Sequence, residues 1–343
     1  MSREDFFHLN DTAEISILST SEGPVFLPGG ISAFKSDIAR EGPDLILTGQ
    51  DGVQARIVNY FDGTPGDLVG TNGGTMSGHV VSRLAGPEAP GQYAQVGDAT
   101  ANLPIGQVEA LNGTVTAQRA DGTVVTLQLG SKVFEDDVVT TESGASASLT
   151  FVDGTIFTLA SGSRMILDAL IYDADRTDNS AAFNLIEGGF VFIAGKVAGT
   201  GGMDVTTPTA TMGIRGTTVS VDIQTEDGIT TVQVALNVDP DGGIGKIELR
   251  DLDGNLLSTI DTTDVSWIIS PREGETREIS RVLTDDAPEF LLLSEAIAAF
   301  QSAVSRVEDG GTFVELDSVG RDDPAPTERG EPGEFETETE DLN

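Results

Sequence analysis

Five clusters of aspartates are the groups in this 343-residue sequence best able to do chemistry: Asp136-Asp137, Asp173-Ala-Asp175 with Asp178, Asp239-Pro-Asp241, Asp251-Leu-Asp253 and Asp285-Asp286. Calcium takes about six to eight oxygen ligands from carboxylates and carbonyls, so each D-x-D turn supplies half a site. The candidate ligands are Asp173, Asp175, Asp239, Asp241, Asp251 and Asp253, and calcium is the one cofactor the composition suggests. None of these turns completes an EF-hand: Gly243 stands where a third ligand is needed after Asp239 and Asp241, and no glutamate closes the loop. Gly242-Gly-Ile-Gly-Lys resembles a fragment of a calcium-binding nonapeptide repeat, but Lys246 replaces the aspartate and the fragment occurs once. An ordinary solvated β-turn is the alternative reading of each cluster.

Other chemistries are poorly supplied. The absence of cysteine removes disulfides, thiolate nucleophiles and thiolate-bound metals, and His8 and His79 are the only histidines. Both histidines read as surface residues, His8 near a frayed N-terminus and His79 near a linker. Paired carboxylates can hydrolyse glycosides, but that chemistry wants substrate-stacking aromatics, and Trp267 is the single tryptophan. Ser161 and Ser163 flank a glycine, a pattern too common to mark a nucleophile, and no glycine-rich phosphate loop occurs. No catalytic residue and no enzyme activity are expected. The formal charge of −37, from 56 acidic residues against 19 basic ones, opposes nucleic acids and anionic bilayers. It also suggests that divalent cations or salt stabilise the fold by relieving self-repulsion.

The elements that must position these groups read as β. Residues 1–85 form an N-terminal β module, with short apolar runs such as Glu14-Ile-Ser-Ile-Leu closed by Gly, Pro, Asp or Ser. Ala85-Gly-Pro-Glu-Ala-Pro-Gly opens a linker over 86–104. Strands then recur over 105–225, with hairpin turns at Asp121-Gly122 and Asp153-Gly154, where glycine supplies the positive φ that the turn requires. The spacing fits a short-strand sandwich, a barrel or a β-helix and does not choose among them. Residues 226–284 are a β meander or an extension of the preceding sheet. An amphipathic helix is predicted over 285–309, with Phe290, Leu293, Ile297, Phe300 and Val304 as its apolar stripe and Gly310-Gly311 as its end. Nine acids and two arginines fill 318–343, read as a disordered acidic tail.

The most specific segment is Val205-Thr-Thr-Pro-Thr-Ala-Thr-Met-Gly-Ile-Arg-Gly-Thr-Thr-Val-Ser-Val. With Gly113-Thr-Val, Asp136-Asp-Val-Val-Thr-Thr, Ala147-Ser-Leu-Thr-Phe-Val-Asp-Gly-Thr and Leu185-Ile-Glu-Gly-Gly-Phe-Val, in that order over about 105–223, roughly a third of the chain, it resembles the FecR domain of ferric-citrate transport regulators. The resemblance implies a β-rich, non-enzymatic domain, and in founding members a periplasmic relay between an outer-membrane receptor and a sigma factor. Neither the transmembrane helix nor the sigma-regulatory segment of those members is visible ahead of the domain, so that role is not carried over. The resemblance singles out Thr207, Pro208, Gly213, Ile214, Arg215, Gly216 and Thr217. Gly213 and Gly216 suit a bulge or close backbone approach, and Arg215 is expected to lock two strands through a carboxylate such as Glu187, Asp136 or Asp137, with a partner contact as the alternative.

No apolar run is long enough to span a bilayer, and no secretory signal is visible at the start. These features lead to a protein-binding or structural module, exported or at the cell surface of a bacterium without an N-terminal signal. The alternative is a cytoplasmic or envelope scaffold that uses its helix and acidic tail.

Overall fold

A computed structural model describes residues 23–29, 31–70, 74–88, 103–175, 177–200, 202–226, 229–270 and 292–314 in full, and the backbone of 8–10, 14–18, 275–280 and 288–291. The acidic tail expected over 318–343, residues 89–102 of the expected linker, and Asp285-Asp286 lie outside the described residues.

The N-terminal region contains β1 (His8–Asn10), β2 (Glu14–Leu18), β3 (Val25–Phe26), β4 (Asp37–Glu41), β5 (Asp44–Thr48), β6 (Gln54–Val58), β7 (Leu68–Val69), β8 (Thr75–Met76) and the helix α1 (Gly78–Ala85). Its main sheet runs β1-β2-β6-β5-β4, with β3, β7 and β8 as a small second sheet. The frayed position expected for His8 is a paired one, opposite Ser16. Helix α1 interrupts what the sequence pattern presents as an all-β module. Ser77 caps it by accepting the Val80 N–H at 3.3 Å, Val80, Val81 and Leu84 bury one face, and Gly86 at φ 73° ends it.

The rest of the chain supplies β9 (Gly106–Asn112), β10 (Val115–Gln118), β11 (Val124–Thr126), β12 (Lys132–Val133), β13 (Val138–Thr141), β14 (Ser146–Phe151), β15 (Ile156–Leu159), β16 (Arg164–Ile171) and β17 (Ser180–Ile193). After the short helix α2 (Lys196–Gly199) come β18 (Met203–Thr206), β19 (Thr211–Arg215), β20 (Thr218–Glu226), β21 (Ile229–Asn237), β22 (Lys246–Arg250), β23 (Leu256–Ile260), β24 (Val265–Ser270) and β25 (Glu275–Ser280), then the helix α3 (Pro288–Glu308).

These strands form two layers. Sheet I runs β11-β10-β13-β16-β17-β18-β19-β22-β23, and sheet II runs β12-β9-β14-β15-β17-β20-β21-β24-β25. Strand β17 belongs to both. Its first part pairs with β16 as far as Glu187, opposite Arg164, and from Gly188 it pairs with β20. The arrangement is a sandwich, and β21 pairs with β20 along its whole length, so residues 229–270 continue the same two sheets.

Strand alternation explains the packing, because successive side chains face opposite sides of a sheet. Phe157 and Phe192 point from sheet II into the sandwich, stacked at 4.7 Å, and Phe183 of sheet I meets Phe157 at 4.7 Å and Phe151 at 5.1 Å. The outer face of sheet I is apolar at Val138, Ile166 and Ile186, which share a core with Leu45, Leu47, Leu68 and Val81 of the N-terminal module. The outer face of sheet II presents Ile156, Val191 and Ile193 to α3. The molecule is therefore four layers deep: module, sheet I, sheet II and helix.

Helix α3 buries Leu292, Ala296, Ala299 and Ala303, one position before the expected stripe. Leu293, Ile297 and Phe300 flank that seam, half-buried. The shift has a steric reason: alanines let a helix lie close on a flat sheet, and larger residues fit at its margins. Phe290 is outside the residues whose side chains are described. Gly310 takes φ 91° and its N–H reaches Val307 O, closing the helix where Gly310-Gly311 predicts.

Candidate functional site: a groove at the sheet crossover

The passage of β17 from one sheet to the other leaves a groove of about 730 Å³ on the outer face of sheet II. Ser220, Asp222 and Gln224 of β20 and Gln233 of β21 form its polar floor, and Leu292 at the start of α3 forms an apolar wall. These residues line the groove because their neighbours Val219, Val221, Ile223, Val232 and Val234 are committed to the sandwich core. Lys35 of the module bonds Glu187 at 2.5 Å and stands at one end. Beyond that pair lies a second cleft of about 360 Å³ between module and sheet I, lined by Asp37, Thr48, Thr141, Glu142 and Arg164. The two depressions share Lys35, Glu187 and Gly162. Hydroxyls, amides and carboxylates can bind a polypeptide by hydrogen bonds. The serines weighed as nucleophiles hold backbone instead: Ser161 Oγ accepts the Gly144 N–H at 2.7 Å, and Ser163 Oγ donates to Gly189 O at 3.0 Å.

The FecR-like motif forms the hairpin β18–β19 and the step from sheet I to sheet II. Thr207 is buried, its Oγ donating to Ala210 O at 2.8 Å, and Pro208 O accepts the Thr75 N–H of the module at 3.1 Å. Ile214 is a core residue, and Thr217 O accepts the Ala194 N–H at 3.1 Å. Gly216 adopts φ 55°, a conformation that glycine tolerates. Gly213 needs neither a bulge nor a close approach, since an added Cβ would meet nothing nearer than 3.7 Å.

Arg215 does not lock strands through Glu187, Asp136 or Asp137. Those carboxylates answer to Lys35, Arg83 and Arg119, while Arg215 Nε lies 3.4 Å from Glu248, a neighbour across β19–β22. The strand period decides this: Arg215 faces away from the core, beside Ile214, which faces in. Lys246 at 3.6 Å and Arg250 at 2.8 Å share the same carboxylate. The Arg250 hydrogen bond, then the Arg215 charge, hold Glu248 below its ordinary range. Since Arg215 is 54% exposed, Arg215→Ala is expected to melt with the parent in thermal denaturation. A large drop in melting temperature would restore the locking role.

Among the described residues, no three of the six aspartates expected as calcium half-sites come together. Asp173 Oδ1 accepts the Asp175 N–H, Asp241 Oδ1 accepts the Gly243 N–H, and Asp251 accepts both Asn255 N and Nδ2, so each braces its own turn. Asp239 Oδ1 accepts from Thr218 Oγ at 2.7 Å, and burial raises its carboxyl. Asp253 lies in the turn that Asp251 organises. Among the described residues, the one group of three possible ligands is His79, Asp136 and Asp168. Sequence reasoning missed it because its members come from α1, the β12–β13 turn and β16; the one local signal was His79 in a chain with two histidines. Burial, then the charges of Asp136 and Asp168, raise the neighbouring Glu135. Asp137 is buried against Arg119, and burial pushes its carboxyl up to about 6 although the guanidinium pulls it down.

The FecR protein family model matches residues 137–237. The chain carries a FecR domain. The matched stretch starts inside the segment that resembles the family by sequence and runs on through β21, so it covers the β17 crossover, the motif hairpin and the groove floor. No curated protein matches the chain. Two crystal structures of a candidate anti-sigma factor from Parabacteroides distasonis ATCC 8503 are similar to it, each with 18% identity and a TM-score of 0.31. The similarity covers 42% of this chain and 59% of theirs, so it spans under two thirds of those proteins.

Proposed function

We propose that this protein is a non-enzymatic signalling or structural module whose FecR domain holds a protein partner in the crossover groove. The observation that carries the reading is the position of the groove: its floor, β20 and the first half of β21, lies inside the matched FecR segment. The site offers hydrogen-bonding side chains, and Asp222, Glu187 and Glu226 against Lys35 make it acidic. With a formal charge of −37, the chain draws partners that present basic surface. No described helix is long and apolar enough to cross a membrane.

Photo-crosslinking tests this in the producing cells. A crosslinker placed at Asp222 or at Gln233 is expected to capture one and the same protein, and a crosslinker at Asp121, in the β10–β11 turn, is expected not to capture it. Equal capture from all three positions, or none from the groove, defeats the proposal.

The module acts outside the cytosol, at the cell surface or in the medium, and calcium stabilises it there. Support comes from composition: no cysteine, four lysines and 56 carboxylates whose repulsion a divalent ion relieves. Millimolar calcium is expected to raise the melting temperature of the chelator-treated protein, and an unmoved transition removes calcium from the proposal. Recovery of the protein only from the soluble cell fraction would favour the cytoplasmic scaffold.

A further inference from the structure

We infer that His79, Asp136 and Asp168 form a binding site for a divalent transition-metal ion that ties the N-terminal module to the FecR domain. One ligand atom from each lies within 4.8 Å of the others, and His79 Nε2 is 3.0 Å from Asp168 Oδ1. A zinc-like ion with bonds of about 2.0–2.2 Å spaces its ligand atoms roughly 3–4 Å apart, so small side-chain adjustments complete the geometry.

The donor set selects the ion. An imidazole nitrogen with two carboxylates suits zinc, nickel or manganese, whereas calcium wants oxygen donors in larger number. Asp168 is already oriented toward the imidazole: its Oδ2 accepts from Asn184 Nδ2 at 3.3 Å, which leaves Oδ1 on the His79 side. The charges agree. Glu135, Asp136 and Asp168 stand close to the guanidinium of Arg83, whose Nε is 3.5 Å from Asp136 Oδ1, while Arg119 is engaged by Asp137, and a divalent ion offsets the remaining negative charge. His79 is 54% exposed, so an ion can enter and water can fill the open positions.

The site's place in the fold gives it a consequence. His79 belongs to α1 of the module, Asp168 to sheet I and Asp136 to the turn that leads into it, so the ion adds a coordinate link across an interface that also holds apolar packing, Lys35–Glu187, Arg83–Asp136 and the Thr75 N–H bond to Pro208 O.

The test uses the full chain after chelator dialysis, with zinc chloride as the probe in calorimetric titration and thermal melting. One equivalent is expected to bind and raise the melting temperature by several degrees, and His79→Gln and Asp168→Asn are each expected to weaken binding by about tenfold or more. A calcium-dependent shift of the melting temperature is expected to survive His79→Gln, which separates this site from the general cation effect. Three results would overturn the inference: no zinc binding by the parent, unchanged zinc binding by both variants, or displacement of zinc by an equal concentration of calcium. The first two leave His79–Asp168 as an ordinary hydrogen-bonded pair.

Discussion

Arg306→Ala is expected to lower stability by about 2–4 kcal/mol, somewhat under the about 3–5 kcal/mol for removing one partner of a fully buried ion pair, because the Arg306 side chain is 23% exposed. The side chain of Glu109 on β9 is 4% exposed, and Arg306 near the end of α3 grips it with two hydrogen bonds, 3.0 Å to Oε1 and 2.7 Å to Oε2. Ser302 Oγ adds a bond of 2.6 Å to the same carboxylate. The guanidinium also holds Thr312 O and Phe313 O, so a single side chain ties helix, sheet and the segment after the helix together. Without it, a carboxylate stays under the helix with Ser302 and Thr150 as its remaining partners.

The pH dependence identifies the cause. Burial by itself would raise Glu109, but the hydrogen bonds from Arg306 and Ser302 prevail and hold it low. A carboxyl lowered in the folded state adds stability above its unfolded pKa of about 4.3, and that stability is lost as pH falls through the folded value. In Arg306→Ala burial prevails, the carboxyl rises, and protonation relieves the variant. The gap in melting temperature between parent and variant should therefore be wide at pH 7 and narrow near pH 4. Amide exchange should quicken in 292–308, and Arg306→Lys should fall between the two, since it keeps the charge and loses the fork. A gap that does not change with pH would place the loss in packing.

How far the sequence discloses this molecule depends on the range of each interaction. Turn chemistry is local, so Asp121-Gly122 and Asp153-Gly154 mark their hairpins, with Gly122 at φ 81° and Gly154 at φ 87°. Strand alternation is local too and reveals a β protein. Which sheet a strand joins is not local: β17 reads as one run of fourteen residues, and nothing in its periodicity says that Phe183 and Phe190 belong to different layers. Helix α3 shows the same limit, because its large apolar residues suggest a stripe while the close contact falls on alanines. For the site, the family motif points to Arg215, which faces solvent. The groove floor and the His79 cluster arise from register and layer packing, which pairs residues as distant as 79 and 168.

The same crossover supports the second large effect. Gly188→Ala is expected to cost about 2–5 kcal/mol, combining about 1–2 for a side chain in the left-handed region with about 1–3 for overpacking. Gly188 sits at φ 93°, and an added Cβ would lie 2.4 Å from Ser163 Oγ and 2.6 Å from Ser163 Cα. A rotamer change moves the hydroxyl but not the Cα, so β16 or β17 must shift where β17 leaves sheet I. Gly189→Ala is the control: its nearest contact is Ala160 Cβ at 3.3 Å and its φ is not in the strained region, so a small change is expected. Urea unfolding of the two variants tests the pair, and equal stabilities would mean that the crossover has slack. If the groove depends on this bend, a crosslinker at Gln233 should also lose its partner in Gly188→Ala. The glycine in Leu185-Ile-Glu-Gly-Gly-Phe-Val would then owe its place to the step between sheets, which sets both the stability of the domain and the shape of the surface beside it.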